Sequence, residues 1–178
     1  MEHQSLKLKP NHKWKSKPGY SICVIDRGAV RFDYPSDWVV KPDEGSLHLH
    51  DQEPCVESCD LGVSIFRVPM AAVRDLNMDD MLRGTLAGER EPYEQSETRR
   101  IVRGGLEIVW LEQRYVDKEY GRDARFRVAL ARETAVCLIS MNYWSAQAER
   151  LEPVWDEVLA SLVMGLPVND PTMGPTIQ

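Results

Sequence analysis

Leu151-Glu152-Pro153-Val154-Trp155-Asp156-Glu157-Val158-Leu159-Ala160-Ser161-Leu162-Val163-Met164-Gly165 decides the fold class. Leu151, Val154, Trp155, Val158, Leu159, Leu162 and Val163 recur at steps of three and four, and Glu152, Asp156 and Glu157 fall off that face, as in an amphipathic helix. Pro153 lacks an N–H and suits only a first turn, so regular helix is expected to begin near 149–152 and to stop at Gly165. A helix with this apolar face needs a surface to cover. Burying Trp155, Leu159 and Leu162 there contributes roughly 1.5–3 kcal/mol per side chain before entropy is counted.

That surface is expected to be an antiparallel sheet. Ile22-Cys23-Val24-Ile25 leads through Asp26-Arg27-Gly28 into Val30, Phe32 and Tyr34 on one face, with Arg31 and Asp33 on the other, which reads as a hairpin. Leu47-His48-Leu49-His50 alternates, and a strand is expected from Leu61 to Val68, before Pro69. Further strands are expected at 97–103, 106–117, 123–132 and 134–143, with connections short enough to make them antiparallel neighbours. Phe126, Val128 and Leu130 alternate with Arg125, Arg127 and Ala129, giving one buried and one partly solvated face. Between them, Asn77 as N-cap, Asp80 in the capping-box position and Leu76 stapled on Met81 open a helix that Gly88 would close. The expected architecture is α+β, a central antiparallel sheet with helices on its faces.

At 178 residues the chain is long enough for one domain to bury a core without staples. Residues 1–19, with five lysines, two prolines and little apolar periodicity, read as a mobile basic arm outside the domain of residues 20–165. Residues 166–178, with three prolines, read as an extended tail. The net charge is -6, distributed as +4 over residues 1–25, -8 over 26–95, +3 over 96–132 and -5 over 133–178. This balance argues against general nucleic-acid binding, which neutralises phosphates. No window of about 18 apolar residues suits a membrane span, no leader pattern opens the chain, and four cysteines make no disulfide framework. A reducing cytoplasm is expected.

The order of hairpin, Phe32-Asp33-Tyr34-Pro35-Ser36-Asp37-Trp38, strands, helix, antiparallel strands and Trp155-Asp156-Glu157-Val158-Leu159-Ala160-Ser161-Leu162 resembles the Mog/PsbP-like family over residues 20–165. The resemblance implies an α/β/α sandwich. It is a fold used by a photosystem II extrinsic subunit, a Ran-binding import factor, bacterial lipoproteins and toxin chaperones, none chiefly an enzyme. Because this sequence lacks the signal or lipobox cysteine of the exported members, the resemblance is to a cytosolic, bacterial-type member. No binding residue of that family carries over position by position.

No nucleophile, base and oxyanion pattern stands out. Gly104-Gly105 lacks a phosphate-loop Lys-Ser/Thr and reads as a hairpin turn, and Asp79-Asp80 and Glu89-Arg90-Glu91 lack the convergence that acid/base pairs need. His48, His50, Cys55 and Cys59 are the candidate metal ligands, since two imidazoles on one strand face and two thiolates suit zinc. Against this stand the Cys-x₃-Cys spacing, Pro54 in the loop, and carboxylates that would raise the thiol pKa values. Cys23 and Cys137 read as small core hydrophobes. Arg114, Arg125 and Arg127, with Arg99, Arg100 and Arg103, are candidates for a sheet face that recognises carboxylates through bidentate pairing. Met70, Met78, Met81, Met141 and Met164 could fill the core or line an adaptable groove. The expected role is therefore non-enzymatic: an accessory protein, chaperone-like, that holds a protein partner or a second copy on a sheet face or sheet–helix groove. No cofactor is expected. The alternative is a small metal-dependent enzyme using the His/Cys set, with zinc.

Overall fold

The computed structural model describes residues 4–66, 68, 69, 73, 75–86 and 90–175. The strands are β1 (Tyr20–Ile25), β2 (Val30–Pro35), β3 (Val39–Pro42), β4 (Ser46–His50) and β5 (Asp60–Phe66). After helix α1 (Met78–Thr85) come β6 (Pro92–Gln95), β7 (Arg99–Arg103), β8 (Leu106–Val116), β9 (Asp123–Arg132) and β10 (Val136–Trp144). Helix α2 (Ala148–Ser161) and the short β11 (Val163–Met164) close the order. An eight-stranded antiparallel sheet runs β3-β4-β5-β10-β9-β8-β6, with β7 also on β8, and a separate three-stranded sheet runs β1-β2-β11.

Alternation along the long strands divides the core in two. Leu47, Leu49, Leu61, Ile139, Met141, Ala129 and Trp110 face α2 and the small sheet, which contribute Leu151, Trp155, Val158, Leu159, Ile25 and Phe32. Val109, Leu111, Phe126, Val128 and Leu130 face the other way, onto Met78 and Leu82 of α1. The expected α+β sandwich with an antiparallel sheet is therefore the observed fold. The hairpin was foreseen, but its separation into a second sheet beside α2 was not, because strand partnership is a long-range property.

Several boundaries differ from expectation. The Asn77 side chain accepts from the Asp79 and Asp80 N–H groups at 3.1 and 3.3 Å, as an N-cap should. Asp80, placed in the capping-box position, instead pairs with Arg83 at 2.9 Å. Gly88 and Met70 lie outside the described residues. Helix α2 stops at Ser161, where Leu162 turns extended, so Val163 is not on its apolar face but in β11 and exposed. Gly165 follows β11, and its N–H donates to the Ala29 carbonyl, extending the small sheet's contacts. Pro153 falls in the second turn of α2, where the carbonyl it leaves unpaired belongs to the exposed Glu149.

Arg31 and Asp33, expected to point outward, are buried at 8% and 3% exposure. They pair at 2.6 Å, and Arg31 also donates to the Ser161 carbonyl at the end of α2 and to the Lys15 carbonyl. Residues 4–19 are correspondingly not a free arm. Trp14 is 7% exposed and donates from its indole to the Pro171 carbonyl at 2.7 Å, while Lys9 and Lys13 N–H groups bond to the Thr172 and Met173 carbonyls. The tail expected to be extended holds an Asp170–Gly174 bridge and buries Val168. Both termini lack periodicity because they pack as irregular loops around isolated anchors.

Candidate functional site

The antiparallel register sets Arg114 opposite Arg125, Glu112 opposite Arg127, and Trp110 opposite Ala129. All therefore share the sheet face that α2 covers. That face changes along β9 from Arg125 and Arg127 to Ala129 and Ala131. The small residues belong to the core cluster that includes Trp155 of α2, and the large charged ones lie where a cleft opens beside Glu152 and Asp156. The cleft has a volume of about 310 Å³, and Arg99, Trp110, Glu112, Arg114, Arg125 and Arg127 line it. The sequence-expected Arg114, Arg125 and Arg127 are thus brought together.

Glu112 is the hub. It accepts from Arg127 Nε at 2.6 Å and from Arg114 Nε at 3.1 Å, with Arg125 Nη1 at 3.6 Å. Burial by itself raises the Glu112 pKa, but hydrogen bonds from Arg127 and Arg114 and the charge of Arg125 outweigh it and hold the carboxyl below the ordinary range. Glu152 from α2 pairs with Arg125 and lies 3.2 Å from Arg127 Nη2. Glu94 takes Arg114 Nη1 at 3.1 Å. Acidic and basic groups therefore nearly balance, and the cleft holds no strong net field.

Some donors remain open. The Arg99 guanidinium lies 4.8 Å from the centre of the Trp110 ring, on its face, and no carboxylate among the described residues pairs with it. The Arg125 Nε atom is buried without a hydrogen-bond partner, as is the hydroxyl of Tyr143, which sits opposite Arg125 in the register. Burial raises the Tyr143 pKa well above the usual phenol value, so it is a neutral donor. Trp110 rests edge-on against Trp155, with ring centres 5.8 Å apart, and this contact fixes the floor. Arg99 was anticipated with these arginines, whereas Glu94, Trp110, Glu112, Glu152 and Asp156 were not joined to them as a site. The register of β8 on β9 and the docking of α2 bring them together, and neither is local in sequence.

The proposed metal set does not assemble. His48 and His50 do share a face of β4, with ring centres 6.3 Å apart. Cys59 is fully buried in the core cluster that includes Leu47 and Leu49, the opposite face of that strand, and burial with Asp51 and Asp60 nearby raises its thiol pKa strongly. Cys55 lies in an exposed turn, accepting from Gln52. Among the described residues, no three His, Cys, Asp or Glu side chains are grouped to hold a metal ion. The His50 Nδ1–H donates to the Cys59 carbonyl at 3.0 Å.

His48 makes an arrangement that the sequence reading missed. Its Nδ1 lies 2.8 Å from Asp60 Oδ1 and its Nε2 lies 3.1 Å from Ser46 Oγ. The order is that of an acyl-transfer relay, yet acyl transfer also needs aligned oxyanion donors and a substrate cleft. The arrangement lies on a partly exposed strand face, outside the cleft beside α2.

A sequence model of the family described as Alr1449 matches residues 21–168. The chain belongs to the Alr1449 family. The Nostoc protein named "Uncharacterized protein alr1449" is 37% identical over 174 residues, covering 96% of this chain and 91% of the relative. Among solved structures, cyanobacterial PsbP (CyanoP) of Synechocystis aligns with TM-score 0.53 and 15% identity, over 84% of this chain and 94% of that one. Protein PA94 of Pseudomonas aeruginosa, described as of unknown function and a putative regulator, aligns with TM-score 0.51 and 17% identity, over 81% and 96%. A Bacteroides thetaiotaomicron protein aligns with TM-score 0.53 and 15% identity, over 76% of this chain and 45% of that longer one. A PsbP-like fold is thereby supported for an Alr1449-family chain. No described helix is long and apolar enough to cross a membrane.

Proposed function

We propose that this Alr1449-family protein is a non-enzymatic accessory protein, chaperone-like in holding rather than transforming its partner, and that the cleft between the large sheet and α2 is where it holds a protein partner. The carrying observation is Arg99, stacked on Trp110 at the cleft's rim with no carboxylate partner among the described residues. A glutamate or aspartate of the partner would take bidentate bonds from Arg99, whose guanidinium the buried Trp110 ring holds in place beneath it. Because the other arginines are held by Glu112, Glu152 and Glu94, recognition depends on these open donors rather than on net charge. A cytoplasmic setting belongs to this reading and is supported by four free cysteines, three of them buried.

The test uses N-acetylated dipeptide probes, Glu-Phe and Lys-Phe amides, titrated to about 1 mM against the full chain while indole N–H signals are followed by NMR. Glu-Phe should move the Trp110 indole signal in the wild type and not in Arg99→Ala. Equal shifts with Lys-Phe, or none at Trp110, would sink the reading.

A further inference from the structure

Sheet edges in stable proteins are normally blocked, because an open row of N–H and C=O groups recruits other strands. Here β3 carries Lys41 and Pro42, and β7 carries Arg99, Arg100 and Arg103. Of the other edges, β6 carries Pro92 and Glu94 and β11 is two residues long, whereas β1 reads Tyr-Ser-Ile-Cys-Val-Ile, with no charge and no proline.

Which of its backbone groups are open follows from the register. Ile22 lies opposite Asp33, and the Asp33 N–H donates to Ser161 Oγ at 2.8 Å, so it is not bonded to β1. Antiparallel pairs alternate between bonded and non-bonded, which places Tyr20, Ile22 and Val24 in non-bonded pairs with their N–H and C=O groups directed outward. Pro35 opposite Tyr20, having no N–H, agrees with this phase. The Tyr20 N–H is taken by the Lys17 carbonyl, and among the described residues no backbone partner meets Ile22 or Val24 on that side.

The open edge borders a cleft of about 420 Å³, lined by Ile22, Val24, Val40 and Leu47 and roofed by Leu6 and Leu8, both about two-fifths exposed. The roofing segment alternates these residues with lysines. Lys9 and Lys17 are engaged by Asp170 and Glu157, whereas Lys7, Lys13 and Lys15 are exposed and have no carboxylate partner among the described residues.

We infer that β1 is a strand-docking site for an extended acidic segment of a protein partner. The segment adds its backbone to Ile22 and Val24, places alternate apolar side chains in the cleft, and sets Asp or Glu residues toward the lysines. A second copy of this chain is the poorer occupant, since pairing β1 with β1 brings together two N-terminal stretches of net charge +4 each. This site is independent of the Arg99–Trp110 cleft and has its own readout.

The experiment selects binders to the full chain from a displayed library of random twelve-residue peptides, then measures the winning peptide in solution. Winners should alternate apolar with acidic residues. Their affinity should fall at least about tenfold in Val24→Pro, which removes one outward N–H while leaving the β1–β2 bonds intact, and should weaken several-fold between about 50 and 500 mM salt. Methylating alternate peptide amides should abolish binding to the unaltered protein, a control that does not depend on the folding of Val24→Pro. Arg99→Ala should bind normally. The inference is overturned if no such peptide is enriched, if winners ignore both Val24→Pro and amide methylation, or if sedimentation shows a dimer that Val24→Pro dissociates.

Discussion

Glu112 sits where three guanidinium groups meet, and its removal tests how that side of the cleft is held. Glu112→Gln keeps the shape but leaves the buried Arg127 without its nearest counter-charge, Glu152 remaining at 3.2 Å. A loss of about 3 kcal/mol in urea unfolding is expected, the lower end for breaking a buried pair. Because the folded-state pKa of Glu112 is depressed, its contribution is fully present above the unfolded value near 4.3 and is lost as pH falls through the lower folded value. The gap between wild type and variant should therefore be widest at neutral pH and close on acidification. A gap independent of pH would assign the loss to packing. Gly28 makes a second test at this scale. Its φ is +100°, and an added Cβ would lie 1.9 Å from the Leu166 carbonyl oxygen, which belongs to the segment following β11. Gly28→Ala should cost more than about 3 kcal/mol, whereas Gly45→Ala, also at positive φ but with open space around it, should cost about 1 kcal/mol. Equal unfolding midpoints for the two would contradict the close approach.

At the scale of elements, Pro153 interrupts α2 at its second turn, leaving the Glu149 carbonyl without its intrahelical donor. Pro153→Ala should restore that bond and stabilise the protein by about 1–2 kcal/mol, after allowing for greater freedom in the unfolded chain. A fall in stability would mean that the proline ring packs more usefully than its exposed position suggests. The same helix shows how far sequence reading reaches. Its face from Leu151 to Leu159 was legible because every periodic residue there is buried. Leu162 and Val163 kept the rhythm but left the helix, since pairing Val163 with Arg31 and Met164 with Val30 depends on a strand 130 or so positions away. Pro92-Tyr93-Glu94-Gln95 has no alternating apolar pattern to mark a strand, is exposed throughout and gains its identity as β6 only from β8. Arg114, Arg125 and Arg127 could be named in advance as alternating residues of two strands. Trp110, Glu112 and Glu152 could not be joined to them without the register and the seat of α2.

At the scale of the whole molecule, the two termini form one unit. Trp14 is anchored to the Pro171 carbonyl, Lys9 to Asp170, and the Lys9 and Lys13 N–H groups to Thr172 and Met173. Few of these contacts reach the sheet, so the unit should open locally without unfolding the core. Trp14→Ala removes the one large buried side chain among the described residues of the N-terminal stretch. It should accelerate hydrogen exchange and proteolytic cleavage in residues 4–17 and 166–175 together, while amides of β8, β9 and β10 keep their protection. Acid should reproduce the effect. The hydrogen bond from Lys9, followed by those from Thr172, lowers the Asp170 pKa to about 2. Its stabilisation is complete above the unfolded value near 3.9 and disappears as pH falls toward about 2. Between those limits protection factors, taken against the intrinsic exchange rate at each pH, should fall at both termini in step, and Asp170→Asn should show the open behaviour at neutral pH without any such fall. If one terminus opens while the other stays protected, they are not a unit, and the roof over the β1 cleft is held by the N-terminal stretch alone. If the β8–β10 amides lose protection in the same window, the clamp is instead part of the global fold.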